Sequence, residues 1–337
     1  MRIVVDAMGA EEGPRVIVGG AVDALASAPG RFEVILVGRE DSLRSHLPGP
    51  VDGLQVVDAP DVIGMSESPA AAIRAKKNSS IAVAIRLVKE KGADALVSAG
   101  NTGAVVAGSL VTLGRLAGVS RPAIATIYPT KKSGAVVLDV GANSECTPKN
   151  LHQFAHMGEV FARYNLKIDS PRVGLLNIGE ERSKGNSLVR ESYEVLERDD
   201  RINFIGNVEG RDVFDGAADV VVCDGFVGNI LLKFSESIYS FMAHMMRKQA
   251  RRGFVSRAGA LLMRRAFRSL RSELDYAEYG GAPLLGVNGV VIISHGKSSK
   301  RAIQNAILVA ARSVEAELNR HIQKRLKGSV ENVANAS

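Results

Sequence analysis

The chain has 337 residues with 46% hydrophobic and 23% charged side chains, globular values that exclude a disordered protein. Aromatics are 5% with no tryptophan, which argues against a base-stacking nucleic-acid platform, and two cysteines are too few for a disulfide framework. Of the net charge of +7, nine Lys or Arg with no Asp or Glu lie between Ser237 and Ser272, so the remainder carries −2.

In chain order, short β-branched runs alternate with helical periodicity. The predicted strands are Arg2–Asp6, Glu33–Gly38, Gln55–Asp58, Asp94–Ser98, Ala123–Tyr128, Ala135–Val140, Arg172–Ile178, Asn203–Asn207, Asp219–Cys223 and Val290–Ser294. Most are continuous apolar runs, as parallel strands covered on both faces require. Helices are predicted over Pro14–Ser27, Asn78–Glu90, Pro148–Tyr164, Leu188–Glu197 and Ser298–Leu318. Pro14 and Pro148 suit a first helical turn, where a missing N–H costs nothing. The pattern is α/β, a doubly wound, mostly parallel sheet in three layers.

The opening Met1-Arg2-Ile3-Val4-Val5-Asp6 meets an acid too early for a signal peptide. Ala95 to Gly114 is uncharged and long enough to mimic a membrane span. Gly100-Asn101-Thr102-Gly103 in its middle reads better as a strand, a glycine turn and a buried helix. Residues 1–327 therefore form one large domain, with 328–337 a frayed tail and 237–276 a helical hairpin insert. In that insert Phe254, Ala258, Leu261, Leu262 and Leu270 make a wide apolar arc. Arg257, Arg264, Arg268 and Arg271 fall on one basic face, with Arg265 on the apolar side. Membrane, protein partner and subunit contact all remain open readings of this insert.

Six strand-end loops combine glycine with small polar groups: 6–9, 98–103, 139–143, 177–181, 224–229 and 294–299. Ligands of open parallel sheets bind in such loops, and backbone N–H groups there favour anions, phosphate first. Gly296-Lys297-Ser298 imitates the end of a P-loop, but Val291 stands where that motif needs glycine. There is no G-x-G-x-x-G turn and no G-x-S-x-G elbow, which disfavours nucleotides and a serine nucleophile. Cys223, after three valines, reads as a small buried hydrophobe and Cys146 as incidental. His152 and His156 have metal-ligand spacing without a catalytic glutamate, and read as helix-face histidines bonded to neighbours. Asp6, Asp139 and Asp224 each end a strand, where a carboxylate either caps the turn or meets a ligand. His295 ends an apolar strand beside a new helix. Lys184, followed by Gly-Asn, is a candidate anion-binding cation.

Taken together, several of these loops carry a resemblance. The blocks are Asp-Ala-Met-Gly at 6–9, Ser-Ala-Gly-Asn-Thr-Gly-Ala at 98–104, Arg-Pro-Ala-Ile at 121–124 and Leu-Asp-Val-Gly-Ala-Asn at 138–143. They continue with Gln-Phe-Ala-His-Met-Gly at 153–158, Gly-Leu-Leu-Asn-Ile-Gly-Glu-Glu at 174–181 and Gly-Asn-Val-Glu-Gly-Arg-Asp at 206–212. Cys-Asp-Gly-Phe-Val-Gly-Asn at 223–229 and Tyr-Gly-Gly-Ala-Pro-Leu-Leu-Gly-Val-Asn-Gly at 279–289 complete the set. In this order, from Arg2 to about Ser313, the chain resembles the bacterial acyl-[acyl-carrier-protein]:phosphate acyltransferases of phospholipid synthesis. It departs at 9–13, Gly-Ala-Glu-Glu-Gly, where the family has Gly-Gly-Asp, a basic or polar residue and Gly.

The resemblance implies attack of inorganic phosphate on a long-chain acyl carrier protein thioester, giving acyl phosphate for glycerol 3-phosphate acylation. It implies a fold similar to phosphotransacetylases and isopropylmalate-type dehydrogenases, no cofactor and no metal. It also implies a homodimer in the cytoplasm, peripherally attached to the inner face of an anionic membrane. No nucleic-acid partner is expected. Phosphate is already partly dianionic near neutral pH and a thiol leaves easily, so orientation and oxyanion donors suffice. The catalytic candidates are Lys184, His295, Asn229 and Asp224. Asp6, Gly100, Asn101, Thr102, Gly103, Asn143, Asn186, Lys297 and Ser298 are the candidates for binding phosphate or substrate. Arg257, Leu261, Leu262, Arg264 and Arg268 are assigned to membrane or carrier-protein contact. A phosphotransacetylase using a coenzyme A thioester, and a non-catalytic lipid- or phosphate-binding scaffold, are the rival readings.

Overall fold

The computed structural model describes residues 1–132, 134–250, 253, 259, 261, 263 and 280–334. Among the described residues eleven strands form one sheet: β1 (Arg2–Asp6), β2 (Glu33–Gly38), β3 (Leu54–Asp58), β4 (Ala95–Ser98), β5 (Ala123–Tyr128), β6 (Ala135–Leu138), β7 (Val173–Leu176), β8 (Phe204–Val208), β9 (Val220–Val222), β10 (Ala282–Leu285) and β11 (Val290–Ile293). Their order across the sheet is β3-β2-β1-β4-β11-β10-β5-β6-β9-β7-β8.

The sheet has two parallel lobes of opposite direction. β3, β2, β1, β4 and β11 run one way, and β6, β9, β7 and β8 the other. The reversal is made in the middle, where β10 pairs antiparallel with both β11 and β5, and β5 antiparallel with β6. All ten predicted strands are present. β10 is additional: Pro283 lacks a ladder donor and Gly280, Gly281 and Gly286 surround it, so the segment reads as a turn although it pairs on both sides.

The helices are α1 (Pro14–Ser27), α2 (Glu40–Ser45), α3 (Pro69–Ala75), α4 (Ser80–Lys89), α5 (Thr102–Thr112), α6 (Pro148–Asn165), α7 (Ser187–Glu197), α8 (Gly210–Asp215), α9 (Gly225–Ala250), α10 (Lys300–Glu315) and α11 (Leu318–Ala334). The single helix predicted over Ser298–Leu318 ends at Glu315, and Glu317 turns the chain with φ 47° into α11. That last helix continues to Ala334, past Gly328, so the backbone there is helical where the sequence reads as a frayed tail. No helix of the described residues is long and apolar enough to cross a membrane.

One sheet face, including Val4, Leu96, Ile124, Val137 and Val221, is covered by α4, α5 and the start of α9 through Ile81, Val105, Leu231 and Leu232. The other face is covered by α1 and α10 over the first lobe and by α6 and α11 over the second. Phe154, Phe161, Leu138 and Ile3 are fully buried there, each contributing about 2–3 kcal/mol of apolar transfer free energy. The predicted hairpin's first arm is the far half of α9, which begins directly at the end of β9. Of its contact candidates, Leu261 is exposed, while Arg257, Leu262, Arg264 and Arg268 lie outside the described residues.

Candidate active site

In the first lobe, β1, β4 and β11 are neighbours and their outgoing loops converge. Asp6 is fully buried and accepts a 2.7 Å hydrogen bond from Ser98 Oγ and one of 3.2 Å from the Met8 N–H. Burial pushes the Asp6 carboxyl up, against the pull of its bonds from Ser80, Ser98 and Met8. Ser98 Oγ in turn accepts the Gly100 N–H at 3.1 Å. Glycine is required where the loops touch: a Cβ on Gly9 would lie 2.4 Å from the Gly100 Cα. The third loop joins through the Glu11 N–H, which donates to the Gly296 carbonyl at 2.8 Å.

Asn101 is committed to structure. Its Oδ1 accepts the Ala104 N–H at 3.0 Å and caps α5, while its Nδ2 donates to the carbonyls of Gly64, Met65 and Glu67 at 3.1–3.2 Å. Thr102 opens that helix exposed, and Gly103 sits where a Cβ would strike Pro69. Asn101 therefore pins the 64–67 segment over the converging loops.

His295 is half-buried at the end of β11. Burial holds its pKa below the usual histidine value; Lys233 pushes the same way, Glu236 and Glu11 oppose, and Lys297 adds to the lowering. Its Nδ1 accepts the Lys297 N–H at 3.1 Å, which leaves the proton of a neutral ring on Nε2. Ser298 is buried and its N–H donates to the His295 carbonyl at 2.9 Å, while the exposed Lys297 ammonium stands 4.0 Å from Glu11.

The second lobe gathers its own loops around Asp139. This buried carboxylate accepts the N–H groups of Ile124 (3.0 Å), Gly141 (3.2 Å), Ala142 (3.0 Å) and Asn143 (2.7 Å), plus Asn143 Nδ2 (2.8 Å). Burial nonetheless pushes its pKa up. Asn143 also donates to the Pro122 carbonyl, and its own carbonyl accepts the Gly225 N–H at 2.8 Å. Gly228 packs so tightly that a Cβ would fall 1.9 Å from the Asp139 carbonyl oxygen. Asp224 caps α9 through the Val227 N–H at 2.9 Å, and the exposed Asn229 side chain lies over Gly141.

Lys184 belongs to this lobe. It is exposed, and its backbone carbonyl accepts from Asn177 Nδ2 while Asn186 caps α7 through the Val189 N–H. Asn207 Nδ2 ties Glu180 and Glu181 to β8. The structure thus brings Asp6, Gly100, Asn101, Thr102, Gly103, His295, Lys297 and Ser298 together in the first lobe. It places Asn143, Lys184, Asn186, Asp224 and Asn229 in the second. Helix α9 spans between the groups, its Gly225 N–H bonded to the Asn143 carbonyl and its Lys233 and Glu236 in the field of His295. The sequence points to Asp139 as a strand-end carboxylate that caps its turn or meets a ligand, a capping role the structure bears out, but it gives no place to Lys233. Its one signal was the i, i+4 spacing from Asn229.

The remaining candidates are inert. Cys223 is buried and its thiol is pushed up by burial, then by Asp139; burial likewise takes Cys146 to about 11, so neither is a thiolate at neutral pH. His152 and His156 both place Nε2 on Asp199 Oδ2, at 2.7 and 2.9 Å, and Arg201 reaches the same oxygen at 2.6 Å. A guanidinium on the shared oxygen fills the place a metal would take, so the cluster is a buried hydrogen-bonded network.

Residues 1–321 match the model of a family described as fatty acid synthesis protein. The chain is 52% identical over 337 residues to a phosphate acyltransferase of Heliobacterium modesticaldum, covering 99% of this chain and 100% of the relative. It is 48% identical over 318 residues to one of Halothermothrix orenii, covering 93% and 95%. Among solved structures it superposes on the EutD phosphotransacetylase of Staphylococcus aureus with a TM-score of 0.61 over 93% of this chain and 94% of that one, at 17% identity, a likeness of fold. The chain therefore belongs to the phosphate acyltransferase family of fatty acid and phospholipid synthesis and is an acyltransferase.

Proposed function

We propose that the enzyme transfers the acyl group of a long-chain acyl-[acyl-carrier-protein] to inorganic phosphate, without cofactor or metal. The observation that carries this reading is the meeting of three strand-end loops in the first lobe, with glycine backbones in contact at Gly9 and Gly100. Small loops of N–H and hydroxyl groups beside a neutral histidine suit a compact oxyanion better than a nucleotide. One phosphate oxygen forms a bond to the thioester carbonyl carbon. The negative charge on the carbonyl oxygen then collapses to break the C–S bond, and the thiolate leaves with the electron pair and takes the proton that the hydrogen phosphate gives up. The 98–103 and 295–299 loops hold phosphate, with His295 donating from Nε2. Asn229 faces the thioester oxygen and Lys184 offsets charge from the second lobe. Asp6, Asn101, Asp139, Asn143, Asn186 and Asp224 keep these loops in shape.

Helix α9 exposes Phe226, Ile230, Phe234, Ile238 and Phe241 on one side, an apolar stripe that a second copy of the chain would cover. The basic sequence from Ser237 to Ser272, nine Lys or Arg without an acid, supports peripheral attachment to an anionic membrane. Sedimentation of the full chain, alone and with anionic vesicles, tests both; a monomer that leaves vesicles in the supernatant refutes them.

The deciding experiment is thiol release from palmitoyl-acyl carrier protein, with and without inorganic phosphate, beside palmitoyl-coenzyme A. Phosphate-dependent release from the carrier-protein donor is expected. Preference for coenzyme A would make the enzyme transacetylase-like, and no release from either donor by folded protein would sink the catalytic reading.

A further inference from the structure

We propose that Lys233 is a second-lobe ligand for the phosphate held by the first-lobe loops, a role that rests on the phosphate-transfer reading above. Three observations place it there. Asn229, Lys233 and Glu236 stand at i, i+4 and i+7 on α9, so they share one side of the helix. Asn229 is fixed over Gly141, at the Asp139 cradle, and Leu231 and Leu232 pack into the core that contains Tyr128. Tyr128 ends β5, which runs parallel to β11, so the third turn of α9 arrives at the end of the sheet where His295 lies.

The charges agree with this placement. Among the described groups, Lys233 and Glu236 from α9, Glu11 from the loop after β1, and Lys297 from its own loop act on His295. Each ammonium is held by a carboxylate: Lys233 by Glu236 at 2.9 Å and Lys297 by Glu11 at 4.0 Å. The ring thus feels one ammonium from each lobe. Apart from Lys297, the converging loops offer a dianion neutral N–H and hydroxyl donors, and a charged donor roughly doubles the strength of each such bond. Lys233 side chains are half exposed, as a group that meets an incoming anion must be.

The test compares Lys233→Met, Lys233→Arg and, as a control, Lys89→Met on the exposed end of α4, in phosphate-dependent thiol release. Lys233→Met is expected to raise KM for phosphate by about tenfold or more while KM for the acyl donor stays within about twofold; Lys233→Arg keeps most of the phosphate affinity and the control all of it. Removing the ammonium also shifts the acid limb of kcat/KM to higher pH, because His295 loses a charge that disfavours its protonation, a change a merely structural lysine would not produce. An unchanged phosphate KM in Lys233→Met, with normal melting, overturns the proposal. Should the wild type release no thiol at all, the reaction reading fails separately. The lysine is then judged by phosphate protection against thermal unfolding: protection present in the wild type and lost in Lys233→Met supports it, and protection that is equal or absent in both overturns it.

Discussion

The two lobes each end a central strand in a buried aspartate, and they use it differently. In the first, Asp6 accepts the Met8 N–H of its own loop but reaches the 98–103 loop through a relay: it accepts from Ser98 Oγ, and that oxygen accepts from Gly100. In the second, Asp139 accepts four backbone N–H groups and the Asn143 amide with no intermediary. A hydroxyl can rotate and exchange donor for acceptor, so the first cradle tolerates change at its acid. A carboxylate ringed by backbone donors cannot be replaced by anything that itself donates. The first lobe is therefore the adaptable half, suited to take and release a small anion. The second is a rigid mount for the first turn of α9.

Replacing each acid by its isosteric amide breaks this comparison most sharply. Asp139→Asn puts an NH2 group against the Asn143 donors and strands at least one of them, which should cost about 3 kcal/mol. Asp6→Asn should cost about 1 kcal/mol, because Ser98 can turn to accept from the new amide. Urea unfolding measures both, and equal losses would show that the relay gives no tolerance.

The contrast in hydrogen bonding could not be read from the chain, although most of the fold could. Strands such as Val34–Val37 and Val220–Val222 are apolar on both faces, and that pattern survives any topology. The reversal of direction could not be read, because it rests on β10 and on the antiparallel pairing of β5 with both β10 and β6, long-range choices with no local signature. All six glycine loops lie at strand ends, but their division into two groups follows from that hidden reversal. Asn101, Asn186 and Asp224 show a second limit: a helix cap and an anion ligand call for the same side chains. Lys233 was obscured for another reason, since a lysine in a long amphipathic helix looks like any solvated charge.

The half-buried His295 of the first lobe contrasts with the buried His152–His156 pair of the second. Burial holds His156 down to about 4, from 6.5 in an unfolded chain, with the Asp199 bond pulling the other way. Below pH 6.5 the unfolded chain takes up a proton that the folded network refuses, so stability falls with acidity at about 1.4 kcal/mol per pH unit until about pH 4. His295, also lowered, adds in the same direction. Asp199 joins only below the ordinary carboxylate range: burial alone would raise it, but its bonds from His152, His156 and Arg201 hold it well below. His156→Asn should flatten the slope of stability between pH 6.5 and 4 relative to the wild type. If the two slopes coincide, the network is not what makes the second lobe acid-sensitive.

The smallest effect concerns the adaptable lobe, where Asn101 does two jobs that two substitutions separate. Asn101→Asp keeps the oxygen that caps α5 but turns the three donated bonds to Gly64, Met65 and Glu67 into contacts between acceptors. Asn101→Ala removes the cap as well, a further loss of about 1 kcal/mol. Both variants free the 64–67 segment from the converging loops, so its amides should exchange with solvent faster in each, by a similar factor. Only the alanine variant should show the additional drop in global melting, because the cap stabilises a helix packed into the core while the segment it pins is mostly exposed. Faster exchange at 64–67 without faster exchange in β6 or α9 would locate the flexibility in the first lobe. Exchange that rises equally in both lobes would mean that Asn101 holds the whole sheet together, and that the adaptable and rigid halves are not separate.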